Sequence, residues 1–275
     1  MSSRWSPVLS PKQCAVLAAL LVVVTAGCLG FGGSGDDGPG TEMPDVTVED
    51  VSNATAEELA TVETFQADVT ATNRLVGNVE RTSSLEATVR VDRAREAAVF
   101  EQTVQAQGRT TEADVYLVNG TIYERSDLYA QQFGSEWIRN DDPDAFEAQW
   151  RNNDFAGEIR AYIDHGTAEL NGTVTVEGTE TRVLELDGNE TALSTAYYAD
   201  PSAVAYRTLE MTVWVDTETY RPVQVAGTVV TEVELQGQTI ESTQEYEYTL
   251  EYTTVNVTLP DGAADAVDVE DVGPS

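Results

Sequence analysis

Glu245-Tyr246-Glu247-Tyr248-Thr249-Leu250-Glu251-Tyr252 is the stretch that decides the fold. Tyr246, Tyr248, Leu250 and Tyr252 share one parity, and Glu245, Glu247, Thr249 and Glu251 share the other. A period of two is that of an extended strand with one face buried and one face in water, as in an antiparallel sheet. The apolar parity switches between Tyr252 and Val255, which predicts a β-bulge there.

The same alternation recurs upstream. Leu85, Ala87, Val89 and Val91 alternate with Glu86, Thr88, Arg90 and Asp92; Leu209, Met211, Val213 and Val215 repeat the pattern, as do Val223, Val225, Val229, Val233 and Leu235. Asn119-Gly120, Asn171-Gly172 and Asp187-Gly188 read as turns between strands, the first two with the positive-φ chemistry of tight hairpins. The fold class is mainly β (α+β): a large antiparallel sheet with a few helices.

Three helices are expected. Thr55-Ala56-Glu57-Glu58 is a capping box, and Leu59 and Val62 share a helix face, which predicts a short helix over 55–64. Asp142-Pro143 is a helix start leading to Phe146 and Trp150 at i, i+4. After Asn152-Asn153-Asp154, the residues Phe155, Ile159, Tyr162 and Ile163 mark one face of another helix. An aromatic-rich helical insert in a β protein must lay that face on something: either it packs on the sheet as core, or it roofs a cavity. In the second case Phe146, Trp150, Phe155, Ile159 and Tyr162 would face Leu209, Met211 and Val213 across the ligand.

The N-terminus reads as an export segment. Arg4 and Lys12 precede the apolar run Cys14–Ala26, which is shorter than the about 20 residues that span a bilayer. The run ends in Thr25-Ala26-Gly27-Cys28, which resembles a lipobox; the resemblance implies cleavage before Cys28 and lipidation of its sulfur. Residues 1–27 are then a signal peptide and 28–45 a lipidated cysteine with a Gly-rich tether, which as a coil reaches about 20 Å. Residues 46–260 are the β-rich domain, and 261–275 an acidic C-terminal tail. The expected location is extracytoplasmic, on the outer face of the cell membrane.

Charge sets the surroundings. The 275-residue chain holds 48 acidic and 15 basic residues, a net −33. Lys12 is the only lysine, so every basic residue after the signal segment is an arginine. Self-repulsion of this size strains a compact state in dilute buffer and is screened within about 3 Å at molar salt, which points to a saline habitat. So acidic a surface offers no footing to nucleic acid.

Chemistry is sparse. The two cysteines, Cys14 and Cys28, both lie at the export segment, which removes thiol catalysis and Cys-rich zinc sites from the body. The one histidine, His165, stands at an expected helix end without a nucleophile elbow, where an imidazolium suits the helix dipole. Asp141, Asp142 and Asp144 lack the spacing of a calcium loop. No enzyme activity, metal or cofactor is therefore expected. Five asparagines, Asn53, Asn119, Asn171, Asn189 and Asn256, stand in Asn-x-Ser/Thr sequons and are candidates for N-glycosylation.

The order of features carries a family resemblance. Ala56-Glu57-Glu58-Leu59 runs into Phe65–Thr72; Tyr116–Tyr123, Val213–Val225 and Val257–Gly262 follow. In this order the chain resembles haloarchaeal lipoproteins whose bodies look like LolA and the LppX/LprG lipid-binding lipoproteins. The resemblance implies an open half-barrel, its apolar concave face covered by helices, with acyl chains held between. The expected function is non-enzymatic binding or carriage of a lipid or apolar ligand. The alternative is a structural or adhesive envelope domain without ligand; a transporter's solute receptor would alternate strands and helices instead.

Overall fold

A computed structural model describes residues 46–77, 80–189, 205–235 and 238–269. The segment 1–27, Cys28 and the tether to residue 45 lie outside them. In chain order the elements are helix α1 (Val48–Thr61), β1 (Thr64–Val76), β2 (Arg81–Asp92), β3 (Ala97–Ala106), β4 (Arg109–Val118), β5 (Thr121–Arg125), α2 (Asp127–Phe133), β6 (Trp137–Asn140), α3 (Pro143–Asn152), α4 (Phe155–His165), β7 (Gly166–Val176), β8 (Thr179–Gly188), β9 (Ala205–Asp216), β10 (Pro222–Leu235), β11 (Gln238–Glu251) and β12 (Val267–Asp268).

The strands form one sheet of 12, ordered β12-β6-β5-β4-β3-β2-β1-β11-β10-β9-β8-β7. It is open rather than closed into a barrel, and antiparallel except where β12 joins β6. Two runs of sequence neighbours, β1 to β6 and β7 to β11, meet at a seam where β1 lies against β11 from Gln66 opposite Glu251 to Val76 opposite Glu241.

The alternation read from sequence is the inside–outside pattern of this sheet. Phe65, Ala67 and Val69 of β1, Val89 and Val91 of β2, Phe100 of β3, Val115 and Leu117 of β4, and Tyr246 and Tyr248 of β11 all point inward into one core. Leu209, Met211, Val213 and Val215 of β9 join it, with Leu184 and Leu186 of β8. The cover over this face comes from α1, α3 and α4, which supply Val51, Leu59, Phe146, Ala156, Ile159 and Tyr162. Helix α4 rests on β7 and β8 near one edge of the sheet, and α3 rests on β5 near the other; α3 and α1 both touch α4. A cover that reaches both flanks requires the sheet to curl beneath it, which is the expected half-barrel.

Several local expectations are corrected. The first helix spans Val48–Thr61 rather than 55–64, because the capping box that forms is Thr47 with Asp50. The Asp50 carboxylate accepts from the Thr47 backbone N–H at 3.0 Å, and Thr55 is buried within the helix instead of starting it. Asn119-Gly120 is a two-residue turn with φ of 56° and 80°. Asn171-Gly172 is not a turn: it is a bulge inside β7, between the pairs Leu170–Leu184 and Thr173–Arg182, and the β7–β8 turn falls at Glu177-Gly178. Asp187-Gly188 is paired strand, opposite Thr167 and Gly166. The bulge expected between Tyr252 and Val255 is absent because β11 ends at Glu251 and the chain leaves the sheet.

That departing segment crosses the outer face. Val257, Leu259 and Ala263 pack against Val99, Tyr116 and Trp137, a second small core on the side opposite the helices. A turn of 3-10 helix at Asp261–Asp265 and strand β12 then dock on β6, and Arg139 pairs with Asp268 at 3.2 Å. Of the stretch 261–275, read from sequence as a tail, the residues to 269 are thus packed on the sheet.

Candidate functional site

The structure brings the eight expected lining residues into one core. Phe146, Ile159, Tyr162, Leu209, Met211 and Val213 are buried, and Trp150 and Phe155 are half-buried against them. The N-cap Asp142 accepts from the Asp144 N–H at 3.0 Å and sets the start of α3, so that Phe146 and Trp150 stack with centroids 6.5 Å apart. Phe155 stacks on Tyr248 of the sheet at 4.6 Å, and Tyr248 lies parallel to Tyr246 at 5.9 Å. Aromatic rings, rather than helix backbone, thus fill the span between cover and central strands. Arg93 holds the cover at its lower end: its guanidinium donates to the Leu59 carbonyl at 3.0 Å and pairs with Asp154 at 3.1 Å, joining α1 to the start of α4.

Within this apolar interior lies a polar group that the sequence reading passed over. Glu158 of α4 is half-buried as a residue, yet its carboxyl turns inward and accepts from the Tyr246 hydroxyl at 3.5 Å. Burial raises that carboxyl to about 7; the Tyr246 hydrogen bond opposes the rise and the charge of Asp154 adds to it. Tyr162, one turn further along α4, is 2% exposed, and among the described residues no group takes its hydroxyl proton. Burial, and after it the neighbouring Glu158, pushes that hydroxyl far above its ordinary range, while hydrogen bonding from Tyr246 acts in the opposite direction. Burial lifts Tyr206 to about 12. Gly227, opposite Tyr246 in the β10–β11 register, gives the Tyr246 ring its room. The signal for Glu158 is in the sequence: it falls inside the stripe Phe155, Ile159, Tyr162, where a carboxylate is out of place.

A second inward carboxyl sits near the sheet edge. Glu124 shares the inner parity of Ile122 on β5, burial raises its carboxyl, and the Tyr129 hydroxyl of α2 donates to it. On the opposite face an open groove of about 500 Å³ runs over β11, β1, β2 and β3, lined by Asp68, Thr70, Glu86, Thr88, Glu101 and Glu247. Its side chains engage one another, as when Thr88 donates to Asp68 at 2.7 Å and Arg90 pairs with Glu101 at 2.9 Å.

The remaining sequence candidates have local explanations. His165 is exposed at the last turn of α4. Asp142 is a helix cap, and Asp141 accepts from the Thr121 hydroxyl at 2.7 Å. Among the described residues no cluster of His, Cys, Asp or Glu could hold a metal ion. All five sequon asparagines are exposed: Asn53 on α1, Asn119 in its turn, Asn171 in the β7 bulge, Asn189 just past β8 and Asn256 on the crossing segment.

No family model matches the chain. No curated protein matches it either. Solved structures do. The chain is similar to the Mycobacterium tuberculosis lipoprotein LppX, at 14% identity and a TM-score of 0.43 over 76% of this chain and 96% of that one. It is similar to LprF from Mycobacterium bovis, at 12% identity and a TM-score of 0.43 over 78% of this chain and 97% of that one. A conserved protein from Thermus thermophilus follows, at 12% identity and a TM-score of 0.37 over 80% and 97%.

Proposed function

We propose that this protein is a non-enzymatic lipoprotein, held to the outer face of the cell membrane through Cys28, whose half-barrel binds or carries a lipid or other apolar ligand. The observation that carries this reading is the way the cover sits. Its helices approach the sheet closely at β5, β7 and β8, and long side chains such as Phe155, Tyr246, Tyr248 and Met211 fill the span to the central strands. An interior closed by large rings and a flexible thioether can repack around an acyl chain, because these groups swing aside without moving the backbone.

Native mass spectrometry of protein drawn in mild detergent from its own membrane tests the reading. A co-purifying lipid is the expected result. Protein that arrives free of lipid, and that gains none from added lipid, turns the reading toward a structural envelope domain, which the exposure of all five sequon asparagines would also suit.

The anchor has its own test. The membrane form is expected to yield an N-terminal peptide beginning at lipid-modified Cys28, and Cys28→Ser is expected to release nearly all of the protein into the soluble fraction. Retention of residues 1–27 in the mature protein would overturn the anchor.

A further inference from the structure

The interior contains hydrogen-bonding capacity that the protein does not use. A buried hydroxyl without a partner costs stability, and in a native structure it calls for a missing water or ligand group. Here such hydroxyls occur on the two helices of the cover that pack against each other. Among the described residues no group takes the proton of the Tyr162 hydroxyl of α4, and the Ser52 and Thr55 hydroxyls of α1, the helix packed against α4, make no hydrogen bond. All three residues are at least nine-tenths buried: Ser52 is 8% exposed, Thr55 0% and Tyr162 2%. One turn from Tyr162, the Glu158 carboxyl accepts a long 3.5 Å hydrogen bond from Tyr246.

We propose that Glu158, Tyr162 and Tyr246 form the polar subsite of the interior and take the free hydroxyl of an otherwise apolar ligand, as in a glycerol lipid with one unsubstituted hydroxyl. The proposal rests on the carrier reading and specifies its ligand. A hydroxyl both donates and accepts, so it gives its proton to Glu158 and receives one from Tyr162, completing both groups at once. An ammonium has no lone pair for the Tyr162 O–H. A phosphate would face the Glu158 carboxylate at close range with no cationic group among its three subsite residues. With the Glu158 carboxyl raised to about 7, the site accepts a neutral partner in either protonation state, which a charged ligand would not allow. The apolar remainder of the ligand lies among Phe155, Ile159, Met211 and Tyr248, which surround the trio in the same core.

The experiment uses delipidated full-length protein and two probes of identical alkyl chains: a dialkylglycerol with its hydroxyl free, and the same molecule with that hydroxyl methylated. Wild-type protein is expected to bind the free-hydroxyl probe about tenfold more tightly, the worth of one buried hydrogen bond. Tyr162→Phe is expected to bring the two probes within about twofold of each other by weakening the free-hydroxyl probe alone. Its thermal midpoint should be equal to or above that of wild type, because no group took the proton of the hydroxyl removed. Glu158→Gln should narrow the preference as well, which keeps the question open to test should Tyr162→Phe fold poorly. Equal binding of both probes by wild type, or an undiminished preference in both variants, overturns the subsite and leaves the carrier reading standing. Binding of neither probe overturns both.

Discussion

Gly227→Ala is expected to lower the stability of the domain by about 3 kcal/mol, at the upper end of the cost of overpacking a closed core. A Cβ at this position would sit 2.6 Å from Cζ of Tyr246, 2.7 Å from its hydroxyl oxygen and 2.8 Å from the backbone oxygen of Glu210. The ring could swing away, but the Glu210 oxygen belongs to the β9 ladder and cannot. Displacing Tyr246 would also break its hydrogen bond to Glu158 and its stack on Tyr248. The matched control is Gly77→Ala, where the nearest atom is a side-chain carbon of Ile240 at 3.5 Å and the effect should be within about 0.5 kcal/mol. Denaturant unfolding at molar salt measures both. A Gly227→Ala protein as stable as wild type would mean that Tyr246 does not lie over Gly227.

Glu158→Gln is expected to stabilise the protein above neutral pH by roughly 2 kcal/mol and to leave it unchanged in acid. The sign follows from the raised carboxyl. Its ordinary value is 4.5 and in the fold it stands at about 7, so the folded state holds the proton more tightly than the unfolded chain does. The protonated form is stabilising below about 4.5; as pH rises through 7, the folded carboxyl must ionise in place and that stability is lost. The groups facing it are Tyr246 from β11 and Asp154 and Tyr162 from α4, with Asp187 and Tyr206 bordering Tyr162. Of these, Asp154 opposes its ionisation and the Tyr246 hydrogen bond favours it. Glutamine keeps the hydrogen bond from Tyr246 and has nothing to ionise. Thermal midpoints of the two proteins between pH 4 and 9 should therefore diverge over 4.5–7 and run parallel beyond it. Curves parallel throughout would place the Glu158 carboxyl in water.

Glu158 and Gly227 also mark where sequence reading stopped. The sheet was legible because its inner face is almost uniformly apolar: Tyr246, Tyr248 and Leu250 carry the period of two in plain form. Helices α3 and α4 were legible because Asp142-Pro143 and the Phe155–Tyr162 stripe are local signals. What was missed depends on contacts distant along the chain. The room at Gly227 means something only when Tyr246 lies opposite, and the raised carboxyl of Glu158 only when it is buried beside Tyr246 of β11. Asn171-Gly172 carried turn chemistry and became a bulge, because a left-handed glycine serves both and the pairing of β7 with β8 decides between them. The eight residues expected to line a cavity were identified as inward-facing, Tyr162 among them, and Glu158 beside them was not, since apolar patterning reports burial and is silent about a lone carboxylate.

The seam between β1 and β11 governs the order in which the fold can be assembled. Every other antiparallel pairing joins strands adjacent in sequence, so the meanders β1 to β6 and β7 to β11 can each begin to form locally. The seam cannot: Gln66 waits for Glu251, and closing so long a loop costs entropy before any of its contacts repays it. Until β11 arrives, β1 stands as an open edge with Val69 and Ala71 exposed beside it, the kind of edge that recruits other chains. The carboxylates that alternate with them, Asp68 on β1 and Glu86 on β2, repel a second copy of the same unfinished chain. The acidity of the outer face thus guards the one long-range antiparallel pairing, in which the last long strand must find the first.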